Sequence, residues 1–211
     1  NAFWLPEDYK SIVNLYRIDI DFIEFAYSEL FPDDFDSSQA INSISSIILG
    51  NSANMTNNHI DAFYQVKESS FQGKIYCPLS YSGPESYISN VVSKGKEMFG
   101  SRFTPLLNYL EKGEYYNLLD SVDGALFYHR RQQAGSNILY FLRSGKPVFL
   151  NSASPVLQYF RELGVDLARP VEDFGQRVSI SRGCIQQSVE VMQEWLSEEK
   201  KKSRHERLLN Y

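Results

Sequence analysis

From residue 44 onward this sequence predicts an α/β fold, a parallel sheet flanked by helices. Two observations predict it. Short apolar runs alternate with amphipathic segments, the pattern of βα units around a parallel sheet. Several of those runs also give way to small polar residues just before a helix begins, as a strand end does when it leads into a helix N-terminus. With 211 residues, 43% hydrophobic and 22% charged, the chain can bury a sizeable core beneath an ordinary surface.

Ser46 to Gly50 reads as a first strand, and a helix from about Asn57 to Ser70 keeps Ile60, Phe63, Tyr64 and Val66 on its apolar side. Lys74 to Leu79 is a second strand, and Pro84, placed at the first helical position, opens a helix that runs to Phe99. A third strand is expected near Arg102 to Leu106, where Pro105 favours an edge, with a helix over Glu114 to Ser121 after it. Ala125 to Tyr128 is a fourth strand, and the helix from Asn137 to Ser144 is closed by Gly145. Pro147 to Leu150 is a fifth strand, Pro155 to Leu163 a helix capped by Gly164, and Val165 to Ala168 a last short strand. Residues 44–168 therefore read as a Rossmann-like domain.

Residues 169–211 read as C-terminal helices, with Ser181 to Leu209 one long helix carrying Val189, Met192 and Trp195 on one side. Residues 1–43 lack the βα alternation and read as a linker or appendage. They are rich in aromatics, Tyr9, Tyr16, Phe22, Phe25, Tyr27 and Phe31 among acidic residues, and end in a turn at Pro32-Asp33-Asp34. Aromatics exposed there would suit contact with a further domain or a second copy. Asn1-Ala2 reads as a tag remnant, and the chain as a piece of a longer protein.

Composition excludes several function classes. A net charge of −5 argues against nucleic acid as a partner, because phosphate backbones are held by clustered Lys and Arg. The one basic run, Lys200 to Lys202 with Arg204 and Arg207, is interleaved with Glu198, Glu199 and Glu206 and reads as a solvated face, or else as a contact for an anionic membrane surface. Two distant cysteines suggest neither disulfides nor a metal site, and point to a reducing compartment. No stretch is long and apolar enough for a membrane span, and a cytoplasmic location is expected. There is no Walker loop, no G-x-G-x-x-G turn, no H-E-x-x-H and no G-x-S-x-G elbow, so no metal and no bound cofactor is expected.

The residues after each strand carry the functional signal, since ligands of open parallel sheets bind beyond the strand carboxyl ends. After the first strand, Asn51 and Ser52 lead to Asn57-Asn58-His59. Helix capping accounts for one or two of these residues, and a ligand role for the rest, with His59 as donor to an anionic oxygen. Ser80-Tyr81 form a turn after the second strand, where Tyr81 would either stack on a nucleobase or cover the sheet end. The densest cluster comes after the fourth strand, from His129 through Arg131, Gln132, Gln133 and Gly135 to Asn137. Arg131 can grip a phosphate in two places, the glutamines can donate or accept, and Gly135 allows close backbone approach. Unpaired N–H groups at a helix start make phosphate the natural occupant. Asn151, after the fifth strand, is a ligand contact or part of an N-cap.

These motifs together resemble one bacterial family. Leu49-Gly50-Asn51-Ser52 with Asn57-Asn58-His59-Ile60, Pro78-Leu79-Ser80-Tyr81 with Tyr87-Ile88, Arg131-Gln132-Gln133 with Gly135, and Gly145 to Asn151 are collinear with glycosyltransferase family 56, the 4-acetamido-4,6-dideoxygalactosyltransferases (TDP-N-acetylfucosamine:lipid II N-acetylfucosaminyltransferases). The resemblance runs from about Ser45 to Ala168, while the loops at 82–85 and 107–113 match the family pattern less closely. It implies the C-terminal, sugar-nucleotide-binding half of a two-domain GT-B glycosyltransferase, with the acceptor site and the base in an N-terminal domain. It further implies a dTDP-sugar donor of the N-acetylfucosamine type, an undecaprenyl-diphosphate-linked oligosaccharide acceptor, and surface polysaccharide assembly of the enterobacterial common antigen kind. The place of work would be the cytoplasmic face of the inner membrane, with peripheral attachment.

Overall fold

The apolar runs pair side by side into a sheet. In the computed structural model, which describes residues 2–24, 41–175 and 179–209, two short strands come first. β1 (Ala2–Phe3) and β2 (Ile23–Glu24) pair in parallel around helix α1 (Pro6–Tyr16). The main sheet is built from strands β3 (Ser46–Leu49), β4 (Lys74–Pro78), β5 (Phe103–Leu106), β6 (Gly124–Phe127), β7 (Val148–Leu150) and β8 (Ala168–Pro170). All its pairings are parallel, and the spatial order is β5-β4-β3-β6-β7-β8. From β3 the chain steps outward to β5, then returns to the other side of β3 and steps outward to β8. This is the Rossmann order, and β3 and β6 are the neighbours at which the direction reverses. Phe25, Tyr27, Phe31 and the turn at Pro32-Asp33-Asp34 lie outside the described residues.

Helices α2 (His59–Glu68), α3 (Glu85–Phe99), α4 (Lys112–Ser121), α5 (Gly135–Arg143) and α6 (Pro155–Glu162) connect the strands, and α7 (Arg182–Trp195) and α8 (Glu198–Leu209) come after the sheet. β6 and β7, Gly-Ala-Leu-Phe and Val-Phe-Leu, are buried throughout and show no alternation, as strands covered on both faces require. Phe63, Phe127, Phe141, Phe149 and Phe160 are the largest fully buried side chains. Truncating any of them to Ala removes roughly 3–5 kcal/mol.

Several boundaries differ from expectation, and local geometry accounts for four of them. β3 stops at Leu49, because Gly50 turns to φ +72 although its N–H still reaches Leu126 O at 3.0 Å. α2 begins at His59 because a 3-10 turn over Met55–Asn57 and a left-handed Asn58 intervene. Pro84 takes ψ 149, an extended conformation, and so caps α3 instead of opening it. The tail is two helices, since Ser197 accepts Lys200 N–H on its hydroxyl at 3.3 Å and starts α8 anew, with Glu198 and Glu199 in the acidic first turn that favours a helix start. The last strand likewise lies at Ala168–Pro170, past the expected 165–168.

The N-terminal segment is fastened to the far end of the chain. Glu24 of β2 accepts from the Tyr159 hydroxyl at 2.6 Å and from Trp195 Nε1 at 3.3 Å, and its second oxygen lies 3.4 Å from Arg204 Nε. Arg204 also donates to Trp195 O at 2.8 Å and stacks on that indole at 4.4 Å. The remaining basic run faces its own acids, with Lys200, Lys201 and Lys202 at 3.8, 2.8 and 3.8 Å from Glu194, Glu198 and Glu206. Among the described residues no helix is long and apolar enough to cross a membrane.

At the opposite end of the β3–β6 pair from the loops, Asp123 Oδ2 accepts hydrogen bonds from the N–H and hydroxyl of both Ser45 and Ser46, between 2.8 and 3.0 Å. Burial raises the pKa of this carboxyl, but the four donors outweigh it and hold it below the usual 3.8. Its stabilising effect is therefore present above the unfolded-chain value and is lost as pH falls through the lower folded value. Asp123→Ala is expected to lower stability by about 1–3 kcal/mol at pH 7, measured by urea unfolding, with the difference shrinking at acid pH.

Candidate functional site

The β3 and β6 loops meet at the reversal point and are stitched together there. Gln133 Nε2 donates to Asn51 Oδ1 at 3.0 Å, and Asn58 Nδ2 donates to Tyr128 O at 3.1 Å. The Thr56 hydroxyl reaches Asn54 Oδ1 and Gln133 Oε1, both at 2.7 Å, and accepts from Arg131 at 3.2 Å. One hydroxyl proton serves only one of those two acceptors at a time, so this bridge is adjustable. Arg131 and Gln132 lie at its rim, Arg131 exposed and Gln132 also open to solvent. Asn57 organises the β3 loop from within, accepting from Asn51 N–H at 3.2 Å and donating to Ser52 O at 2.9 Å and Asn54 O at 3.1 Å.

Beside this seam lies a cleft of about 510 Å³ across the ends of β3, β4 and β5. Five of the sequence-predicted residues line it: Asn51, Ser80, Tyr81, Gly135 and Asn137. Its other walls are Asn108, Tyr109, Leu110, Lys112, Tyr115, Tyr116 and Ser136, with Pro78, Leu106 and Ala134. Tyr81 and Tyr109 stand at the surface, 53% and 74% exposed, while burial pushes the Tyr115 phenol well above its usual range. Asn137 Nδ2 donates to the Tyr115 hydroxyl at 2.8 Å, which leaves that O–H as a donor. The start of α5 opens here with Ala134 as its N-cap, a residue with no side-chain acceptor, so the amides of Gly135, Ser136 and Asn137 lack a cap. Lys112, stacked 5.7 Å over Tyr116, is the one charged side chain in the lining.

The β5 side of the cleft was not among the residues that the sequence singles out. The run after Leu106 reads in sequence as a plain loop, although Asn108 to Lys112, directly after the third strand, carry the same positional signal as Asn51 and Ser80.

The other candidates sit behind this surface. Ser52, Asn57, His59, His129 and Asn151 are all buried, and Asn151 Oδ1 accepts from Ala153 N–H at 2.9 Å in a turn of its own. Asn58 is half-buried with its amide committed to Thr56 O and Tyr128 O. His59 bonds Tyr87 Oη at 3.0 Å through Nδ1, while its Nε2 is buried without a partner beneath Gly50, where an added Cβ would come within 2.7 Å of it. His129 stacks on Phe127, and neither ring nitrogen meets a partner at hydrogen-bond geometry, although nearby backbone groups favour its charged form. Both imidazoles lie packed beneath the loops. Among the described residues, no three His, Cys, Asp or Glu side chains come together to hold a metal.

Burial lowers both histidine pKa values from 6.5 to about 4. The unfolded chain takes up these protons below pH 6.5 and the folded chain does not until about 4, so stability falls across that window as the medium is acidified. Each histidine is expected to remove on the order of 2–4 kcal/mol by the acid end. His129→Gln should flatten part of that fall in urea midpoints measured from pH 7 to 4.5, and an unchanged slope would refute the buried neutral state.

The same architecture is found in solved glycosyltransferases. TarM from S. aureus, solved in complex with fondaparinux, alpha-GlcNAc-glycerol and UDP, superposes with a TM-score of 0.64 at 14% identity, over 100% of this chain and 43% of that one. A UDP-forming alpha,alpha-trehalose-phosphate synthase from Burkholderia xenovorans gives 0.62 at 10% identity, over 79% and 44%. The chain thus spans less than half the length of these structures, and at such identities they show its fold, that of one Rossmann-like half of a GT-B glycosyltransferase. No curated protein sequence matches. Residues 30–182 match the family described as 4-alpha-L-fucosyltransferase, glycosyl transferase group 56, and the chain belongs to that family.

Proposed function

We propose that this chain is the donor-binding half of a glycosyltransferase that moves an N-acetylfucosamine-type sugar from a dTDP donor to an undecaprenyl-diphosphate-linked oligosaccharide. The observation that carries the reading is the uncapped start of α5, opening into a tyrosine-walled cleft with Arg131 nearby and Lys112 in the wall. Tyrosines offer faces for a nucleobase. The amides of Gly135 to Asn137 and the Arg131 guanidinium suit a diphosphate, and Lys112 adds a cation on the β5 side.

When the sugar leaves, the bond from its anomeric carbon to the diphosphate oxygen breaks and negative charge grows on that oxygen. Donors already pointing at the diphosphate stabilise this charge without rearranging. The acceptor hydroxyl and the base that takes its proton belong, in this reading, to a separate N-terminal domain across the cleft. Peripheral attachment at the cytoplasmic face of the inner membrane would bring the lipid-linked acceptor within reach.

TarM was solved with UDP and the trehalose-phosphate synthase is UDP-forming, so a UDP-sugar donor is the competing reading for the same cleft. Calorimetric titration with dTDP, UDP and GDP, without metal, separates the two. Binding of dTDP on the order of 10 μM to 1 mM is expected, tighter than UDP or GDP. Arg131→Ala should weaken dTDP binding about tenfold or more. Preference for UDP would transfer the reading to that donor class, and no binding of any nucleotide would remove it.

A further inference from the structure

Gly135 is covered on the side where a side chain would stand. A Cβ there would lie 2.9 Å from Cζ3 and 3.3 Å from Cη2 of Trp4, so the indole fills that volume. Trp4 arrives from the short segment between β1 and α1, far from α5 in sequence. Its ring meets Phe160 of α6 edge-on at 6.2 Å, and Leu5 beside it is fully buried in the main core. Trp4 Nε1 is buried without a hydrogen-bond partner. Burying an unpaired N–H is unfavourable, and the contacts with Gly135 and Phe160 have to offset that cost.

The element it touches needs such support. Ala134 holds φ 58, ψ 26, a left-handed conformation that is strained for any residue with a Cβ. Strain of this kind persists only where the surroundings over-determine it. The helix that starts there has no side-chain cap, and its first residues line the cleft.

We propose that Trp4 is a positioning residue for the start of α5, holding Gly135 and its neighbours in the arrangement that receives the donor diphosphate. Docking of the N-terminal segment and occupancy of the cleft are therefore coupled, and by linkage each strengthens the other. The Glu24 fastening to Tyr159, Trp195 and Arg204 gives the same segment a second anchor, so a pull on the segment is transmitted to Trp4. This rests on the reading of the α5 start as a diphosphate site.

The test uses the full chain as wild type, Trp4→Ala and Trp4→Phe. Amide hydrogen exchange without ligand should quicken at least about tenfold at Ile138 to Tyr140, the first hydrogen-bonded amides of α5, in Trp4→Ala, with Trp4→Phe close to wild type and β4 and β6 unchanged as the control for folding. The affinity for dTDP should fall about tenfold in Trp4→Ala. Gly135→Ala should be harmful alone and mild in the Trp4→Ala background, because the clash has been removed. Unchanged exchange at 138–140, or an equal effect of Gly135→Ala in both backgrounds, overturns the proposal whatever the chain binds. If exchange responds as stated while the wild type binds no nucleotide, the buttress stands and the donor reading alone falls.

Discussion

The parallel pairing of β3 with β6 is the constraint on which the rest depends. Ile47, Ile48 and Leu49 pair with Gly124, Ala125 and Leu126, and the ladder is prolonged at one end by Gly50 N–H and fixed at the other by Asp123. Gly124 has to be glycine here, since a Cβ would lie 2.8 Å from Pro147 O. Because the sheet order reverses at this pair, the loops after the two strands leave the sheet side by side and are joined there by hydrogen bonds. That junction places the start of α5 beside the ends of β3, β4 and β5, where the cleft lies.

The polar residues around the seam divide into two layers with different physical roles. Those underneath, Asn57, His59 and His129 among them, are excluded from water and hold the loops by hydrogen bonding and packing. Keeping imidazoles neutral there avoids the cost of burying charge beneath the loops. Those on top, Arg131, Gln133 and Thr56, bond to one another across the seam and can exchange those partners for a ligand's oxygens. Trp4 adds a third kind of support, apolar and contributed from outside the sheet.

Much of this was legible in the sequence because apolar periodicity reports burial, and burial here is simple. The strands of the main sheet and their helices stand within a few residues of where unbroken runs such as Ile47 to Leu49 and Val148 to Leu150 place them. What was not legible depends on geometry that periodicity does not encode. The left-handed Asn58 and the extended Pro84 each move a helix boundary through backbone torsion, and the Ser197 hydroxyl does so by accepting a backbone N–H. Residue type alone makes His59 and His129 resemble ligand donors, yet their exposure depends on how Gly50 and Phe127 lie against them. Gly135 is the sharpest case, because a glycine that suggests ligand approach is here also a seat for an aromatic ring from a remote segment. No local pattern around Trp4 announces that contact.

In the proposed function a nucleoside diphosphate lies along the cleft with its phosphates at the start of α5. Amide chemical shifts measured during a dTDP titration address this residue by residue. The largest shifts are expected at Gly135 to Asn137, with smaller ones at Tyr81 and Asn108 to Lys112 and none beyond noise around Ser152 and Arg161 of the opposite sheet edge. Shifts concentrated away from α5, with Gly135 to Asn137 unmoved, would contradict it.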